Sequence, residues 1–436
     1  MKVRTIAVVG LGYVGTPLAA KLASVGFNVI GYDLDERKVE AINAGKSPLK
    51  GREPRLAPMI SKAVAAGRLK ATTDPRGIRK AEFVTINVQT PFDTHAGKPD
   101  YRALESAVAT VGSHLKKGAV VVVESTVAPG TTLRVVLPLL EDASAGKAGK
   151  RFHLAHCPER VTPGRLLANL EEYDRLVGAT DEVAAKACVE VYRKVTRGDV
   201  DITDPTTAEV VKTVENAYRD VQIAFANEIA LASEAIGVDV QEVRRLVNKV
   251  PFRDMHVPGA GVGGHCLPKD GLLFAYGVPD KRVTSMVRLA RQINDAMPAH
   301  MADLVDRAAA THGGDRASRV VLLGYAFLPD SDDTRNTPAE PLLRRLEAKG
   351  YEVRVHDPEA ELPGGTTRQK DLIEGCRWAD IVVVVTAHSE YTRGAARIAK
   401  ALRAGACVVD GRGLFGEGTR LPKGRRLFGV GRPRSG

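Results

Sequence analysis

Thr5-Ile6-Ala7-Val8-Val9-Gly10-Leu11-Gly12-Tyr13-Val14-Gly15 runs a short apolar strand into a glycine turn, and a helical stretch, Thr16 to Ser24, follows at once. Gly-x-Gly-x-x-Gly between a strand and a helix is the dinucleotide fingerprint. Gly10 permits the tight turn, Gly12 lets a pyrophosphate approach, and Gly15 allows close helix–strand packing. The helix N-terminus supplies N–H groups and a positive dipole end to the phosphates, with Tyr13 and Val14 inside the same loop. The second strand, Asn28 to Tyr32, ends at Asp33, 18 residues after Gly15. A carboxylate there accepts from ribose hydroxyls and repels a 2′-phosphate, which predicts NAD rather than NADP.

Working outward, Phe83 to Val88 and Val120 to Glu124 read as further buried strands, with helical stretches such as Tyr101 to His114 between them. Apolar strands without polar alternation, spaced by helices, predict a parallel sheet covered on both faces. Ligands bind outside the carboxyl ends of such strands. Val88-Gln89-Thr90-Pro91 and Glu124-Ser125-Thr126-Val127 follow two of them, so Thr90, Ser125 and Thr126 are candidates for the cofactor cleft. By themselves they read equally well as helix caps or turn residues.

A helical pattern runs from about Thr206 to Ile236, with Gly237 suited to end it, and a second helical stretch covers Ser285 to Asn294. The α/β pattern then restarts: strand Val320 to Gly324, helix Pro338 to Lys349 with Thr337 as N-cap, and strand Tyr351 to His356 ending at Asp357. Strands Ile381 to Val385 and Ala406 to Val409 follow. The predicted class is α/β: two Rossmann-like, doubly wound domains joined by a long central helix and a helical middle domain. The expected division is 1–198 for NAD binding, 199–300 for the helical middle, and 301–436 for the last domain. A helix of roughly 45 Å suggests pairing with a second subunit, hence a homodimer or higher homo-oligomer.

Bulk composition narrows the classes. With 436 residues, 44% hydrophobic and 26% charged, the chain reads as an ordinary globular protein. No apolar run approaches the length of a membrane span, and the first residues lack a signal peptide, so a cytoplasmic protein is expected. The net charge of +11 includes six basic residues from Arg420 to Arg434. No basic stripe is interleaved with aromatics, so nucleic acid is not an expected partner; an anionic small-molecule substrate explains the excess equally well. Five widely spaced cysteines and scattered histidines suggest neither a disulfide framework nor a metal site.

The chemistry concentrates in Pro258-Gly259-Ala260-Gly261-Val262-Gly263-Gly264-His265-Cys266-Leu267-Pro268-Lys269-Asp270. Glycines allow close ligand approach, and a cysteine among them is accessible, whereas a structural cysteine sits among large apolar groups. A Gly-rich surface loop with an incidental thiol is the alternative. His156-Cys157-Pro158-Glu159-Arg160-Val161-Thr162-Pro163-Gly164 places a carboxylate beside a guanidinium; a salt-bridged turn would look the same. On the long helix Lys212 and Asn216 lie four apart, hence on one face, which could also be a solvated stripe. Arg335, in Asp333-Thr334-Arg335-Asn336-Thr337-Pro338, precedes a helix and could clamp a phosphate or belong to a surface charge cluster.

Together and in order, GLGYVG, ESTVAPGTT, CPERVTPG, AEVVKTVENAYRDV, GVGGHCLPKD and DDTRNTP resemble the nucleotide-sugar 6-dehydrogenase family over nearly the whole chain. Within it, His265 before the cysteine, Glu159-Arg160-Val161 with Pro163-Gly164, and Asn216-Ala217-Tyr218-Arg219-Asp220 are similar to the branch acting on UDP-N-acetylhexosamines. The resemblance implies UDP-N-acetyl-D-mannosamine first, then UDP-N-acetylglucosamine, then UDP-glucose. It implies a four-electron, NAD-dependent oxidation of the sugar C6 alcohol to a carboxylate through a thiohemiacetal and thioester on Cys266. By motif match it gives Lys212 and Asn216 to the oxyanion, and Asp270 to a water or base role. Glu159, helped by Thr126, would hydrolyse the thioester. Lys269 is not expected to be catalytic. Substrate contacts would come from Glu159, Arg160, Val161, Lys212, Asn216, Arg219, Arg253, Gly263, His265 and Arg335. His265 is equally compatible with a structural role. One departure stands out: Leu328, in Phe327-Leu328-Pro329, occupies the place of a lysine that normally grips the nucleotide sugar. A nucleotide-sugar-binding protein without turnover is the non-enzymatic alternative.

Overall fold

The computed structural model describes residues 2–49, 53–162, 164–311, 318–416 and 419–433. Pro163 of the substrate-loop motif and Arg434 of the basic tail lie outside them. The chain packs as two compact units, Met1–Glu215 with Leu272–Lys281, and Asn216–Gly271 with Arg282–Gly436.

The first unit is built on ten strands: β1 (Thr5–Val9), β2 (Asn28–Tyr32), β3 (Leu69–Thr72), β4 (Phe83–Ile86), β5 (Phe92–Asp93), β6 (Lys98–Pro99), β7 (Ala119–Val123), β8 (Phe152–His156), β9 (Arg175–Ala179) and β10 (Val200–Thr203). Eight of them form one sheet in the order β10-β9-β8-β7-β4-β1-β2-β3, while β5 and β6 make a separate hairpin. Every pairing in the large sheet is parallel except β8 with β9. Successive side chains of a strand face opposite sides. Ile6, Val8, Val120 and Val122 accordingly enter one core, and Ala7, Val9, Val121 and Val123 enter the other. The order reverses direction between β1 and β4, the switch point at which open sheets bind ligands.

The second unit contains β11 (Arg319–Leu323), β12 (Glu352–His356), β13 (Ile381–Val384), β14 (Cys407–Asp410) and β15 (Arg426–Gly429), in the order β12-β11-β13-β14-β15. All four pairings are parallel. Its opening repeats that of the first sheet. Gly10 N–H donates to Tyr32 O at 2.8 Å and Leu11 N–H to Asp33 at 2.7 Å. Gly324 N–H donates to His356 O at 2.9 Å and Tyr325 N–H to Asp357 at 2.6 Å. Both glycines have positive φ, 89° and 95°. Asp357 also accepts from Ala326, Glu359 and Ala360 and from His388, and its side chain is fully buried, so it has nothing left to offer a ribose.

The long helix is continuous over Pro205–Ile236, 32 residues, and Gly237 takes φ of 90° immediately after it. Its first eleven residues count with the first unit and the rest with the second. The helix expected at Ser285 to Asn294 extends to Ala310, through Pro298. An internal proline removes one backbone hydrogen bond, but Met297, Met301, Leu304, Val305 and Ala308 are all buried on this helix and hold it together. The helix expected from Pro338 begins at Ala339. The N-cap is Pro338, one residue after the predicted cap Thr337, whose Oγ1 still accepts the Ala339 N–H at 3.2 Å.

Candidate active site

In the first unit the glycine loop has the shape a cofactor phosphate needs. A side chain on Gly15 would collide with Gly10 O, and one on Gly10 would lie 2.8 Å from Asn87 O, whereas Gly12 faces open space. The first helix, Gly15–Ser24, has Val14 at its N-cap and no side-chain cap; Thr16 N–H donates to Gly12 O at 3.0 Å and Pro17 has no N–H, so what the helix turns toward a phosphate is chiefly the positive end of its dipole. The Asp33 carboxylate also accepts Asp35 N–H at 2.9 Å and pairs with Lys38 at 3.1 Å, which fixes it at the end of β2. These residues fit NAD. Beside them the ends of β4 and β7 are tied together: Thr90 Oγ1 donates to Thr126 O at 2.6 Å, and Ser125 Oγ donates to Val88 O at 2.6 Å. Glu209, fully buried on the long helix, accepts N–H groups from Gly130 and Thr132 and so holds the turn after Thr126.

Glu159 and Arg160 both meet protein partners in this unit. Glu159 is 8% exposed, and its Oε2 lies 2.6 Å from Nη1 of the buried Arg175, a residue that the sequence did not mark. Arg160, expected at the substrate, pairs with Glu215 at 2.6 Å and donates to Asp174 O at 3.1 Å. Val161 is half-buried against the core. Lys212 is only 7% exposed, and among the described residues its ammonium has no hydrogen-bond or ion-pair partner. A buried cation without an anion is costly. Burial and the neighbouring Lys212 charge push His156 down to about 3, so that imidazole is neutral.

In the second unit Cys266 sits at the start of the helix Leu267–Gly277, its carbonyl accepting Asp270 N–H at 2.9 Å. It is half-buried, whereas the other four cysteines are buried. Asp270, one turn on, is fully buried. Asn216 Nδ2 donates to its Oδ2 at 2.6 Å, and Lys269 Nζ lies 2.7 Å from its Oδ1. Lys269 thus neutralises Asp270. The glycine loop before the cysteine is moulded onto the segment 327–336. Gly264 N–H donates to Arg335 O at 2.8 Å, and Asn336 Nδ2 donates to Gly264 O at 3.0 Å. A side chain on Gly264, whose φ is 93°, would lie 2.9 Å from the Phe327 ring. Arg335 thereby comes beside the cysteine loop, its guanidinium forked onto Asp333.

His265 is pushed down to about 4, first by burial, then by Lys269 and Arg335. Arg219 and Arg253 are exposed. Leu328, half-buried, supplies no charge. A cation that the sequence reading missed is Arg412, just after β14. A side chain on Gly259 would collide with its guanidinium, which makes no hydrogen bond or ion pair among the described residues. A lone arginine after a strand carries no sequence signal; only packing reveals it. Among the described residues no group of three or more His, Cys, Asp or Glu could hold a metal ion, and no helix is long and apolar enough to cross a membrane.

Comparison with known proteins gives three consecutive family matches. Residues 4–196 match the NAD binding domain of the UDP-glucose/GDP-mannose dehydrogenase family, 206–296 its central domain, and 321–417 its UDP binding domain. The UDP-N-acetyl-D-mannosamine dehydrogenase of Pyrococcus horikoshii is 37% identical over 429 residues, covering 98% of this chain and 99% of that one. A solved structure of UDP-D-ManNAc dehydrogenase from Pyrococcus horikoshii superposes with a TM-score of 0.90 at 36% identity, covering 98% and 99% of the two chains. The NDP-N-acetyl-D-galactosaminuronic acid dehydrogenase from Methanosarcina mazei Go1 is 40% identical with a TM-score of 0.86, covering 99% and 95%.

Proposed function

Since the chain belongs to the UDP-glucose/GDP-mannose dehydrogenase family and is an NAD-dependent nucleotide-sugar dehydrogenase, we propose that it oxidises C6 of UDP-N-acetyl-D-mannosamine to the carboxylate through a covalent intermediate on Cys266. The observation that carries this reading is the half-buried thiol one turn before a buried Asp270 that Asn216 and Lys269 both hold. The substrate assignment is supported by the Pyrococcus relative and by His265 beside the thiol.

The Gly10–Gly15 loop, Asp33, Thr90, Ser125 and Thr126 would hold NAD. Bound NAD supplies a hydride acceptor, one molecule for each of the two oxidations. Lys212 stabilises the alkoxide as the alcohol loses its proton, and Asn216 assists. The alkoxide gives up a C6 hydrogen as hydride and becomes the aldehyde, to which the Cys266 thiolate adds, aided by the positive end of its helix, leaving an oxyanion on C6. The thiohemiacetal loses its C6 hydrogen as hydride and becomes a thioester. Glu159 then takes a proton from water, whose oxygen bonds the acyl carbon; the C–S bond breaks and the thiolate returns. Asp270 positions the water or serves as base.

Lys212 and Arg412, whose side chains make no hydrogen bond or ion pair among the described residues, suit an anionic substrate, and Arg253, Arg219 and Arg335 add further positive charge. We also infer the three-part division 1–198, 199–300 and 301–436. Homodimerisation is inferred through the long helix, where Tyr218 and Phe225 are 63% and 55% exposed. A monomeric mass in solution would remove that inference. The substrate is tested by NADH yield across UDP-N-acetyl-D-mannosamine, UDP-N-acetylglucosamine, UDP-N-acetylgalactosamine and UDP-glucose. A kcat/KM highest for the mannosamine sugar is expected; a higher value for UDP-glucose would overturn the assignment.

A further inference from the structure

The first unit encloses a charged cluster formed where β7, β8, β9 and one helix meet. Arg175, the first residue of β9, is 3% exposed and lies 2.6 Å from Glu159 Oε2. Its guanidinium sits 5.1 Å from the ring centroid of Tyr192, on the helix Glu182–Tyr192. The Tyr192 hydroxyl donates to Oε1 of Glu124 at 2.5 Å, and Glu124 follows directly on β7 with 2% exposure. The other oxygen of Glu159 accepts its own neighbour's N–H, from Arg160, at 2.7 Å. The pocket therefore holds one guanidinium, two carboxylates and a phenol, of which Glu159, at 8%, is the most exposed.

One buried cation cannot balance two buried anions, so one carboxylate keeps its proton. Burial pushes Glu124 up to about 8, against the pull of Arg175 and with the help of Glu159. Glu124 is then neutral at working pH, and the Arg175 charge is directed to Glu159 alone. Arg175 Nη1 and Glu159 Oε2 meet as a close ion pair rather than an aligned hydrogen bond, and a planar guanidinium between a ring face and a carboxylate has little rotational freedom.

We propose that Arg175 is the positioning residue for Glu159 in thioester hydrolysis, aiming its carboxylate at water, while Glu124 and Tyr192, joined by a hydrogen bond, form the opposite wall of the pocket. This rests on the cysteine mechanism proposed above. The groups facing Glu124 are Arg175 from β9, Glu159 and Cys157 from the loop after β8, and Tyr192 and Cys188 from the helix.

The test quenches the enzyme during turnover with NAD and the best UDP-sugar of the panel, and measures the acylated fraction of Cys266 by mass spectrometry. R175K keeps the charge but loses the flat fork. It is expected to hydrolyse the thioester roughly tenfold more slowly and to accumulate acyl-enzyme, with the first NADH burst changed by less than about threefold. E159Q is expected to accumulate acyl-enzyme too. Acylation at the wild-type level in R175K, alongside accumulation in E159Q, overturns the proposal, as does no accumulation in E159Q, which removes the hydrolytic role of Glu159; no acylated Cys266 in any of the three enzymes overturns the thioester reading itself. If R175K does not fold, pH decides. Above about pH 8 the ionised Glu124 competes for Arg175, so acyl-enzyme should rise in the wild type and not in E124Q. Identical pH profiles for the two would sink the proposal.

Discussion

Asn216 donates from Nδ2 to Oδ2 of Asp270 at 2.6 Å, so the long helix grips the carboxylate one turn after the thiol of Cys266. The other oxygen of that carboxylate is taken by Lys269, which explains how a fully buried Asp270 is tolerated. Removing one partner of such a pair strands the other's charge. Lys269→Met should therefore lower stability by about 3 kcal/mol, read by urea unfolding, while Asn216→Ala should cost stability only about 1 kcal/mol and reduce kcat at least about tenfold.

Cofactor choice should follow Asp33. The wild type should use NAD with a kcat/KM well above that for NADP, and Asp33→Ser should narrow the ratio by about tenfold or more, since the repulsion of a 2′-phosphate is gone. An unchanged ratio would detach Asp33 from the ribose.

The glycine loop should resist a single methyl group. Gly264→Ala adds a Cβ 2.9 Å from the Phe327 ring at a φ of 93°. Activity and melting temperature should both fall, and Phe327→Leu in the same chain should restore part of the loss by making room. Additive losses in the double variant would separate the two residues.

Stability should respond to acid through His265. Its folded value, about 4, lies below the ordinary histidine value of about 6.5. The fold binds that proton less tightly than the unfolded chain, so the contribution is complete above about pH 6.5 and is lost as pH falls toward 4. His265→Asn should flatten the unfolding free energy over that interval relative to the wild type; parallel curves would contradict the assignment.

What could be read in advance was what the chain writes contiguously. Gly10, Gly12 and Gly15 lie within six residues of one another, and Asp33 ends the very next strand, so strand, turn and acid share one short stretch. Cys266 and Asp270 are likewise one helical turn apart. Arg175 follows Glu171, Glu172 and Asp174 in the chain and looks like part of a solvated run; in the fold it meets Glu159, Tyr192 and Glu124, none of them its neighbour in sequence. Arg412 became visible only through Gly259, which lies far from it in sequence. The family resemblance implies a substrate contact for Arg160, and the structure adds what spacing does not carry, the reach of its side chain to Glu215 and Asp174 O. Local chemistry is carried by spacing; long-range pairing is carried by packing.

The central claim is that Cys266 carries the sugar as an acyl group between two oxidations. Cys266→Ser, folded as the wild type by circular dichroism and supplied with NAD and UDP-N-acetyl-D-mannosamine, tests it most directly. The account predicts that uronate formation falls by at least about a thousandfold, whereas the wild type releases two NADH per uronate formed. Uronate formed by the serine variant at the wild-type rate, with two NADH each, would contradict it.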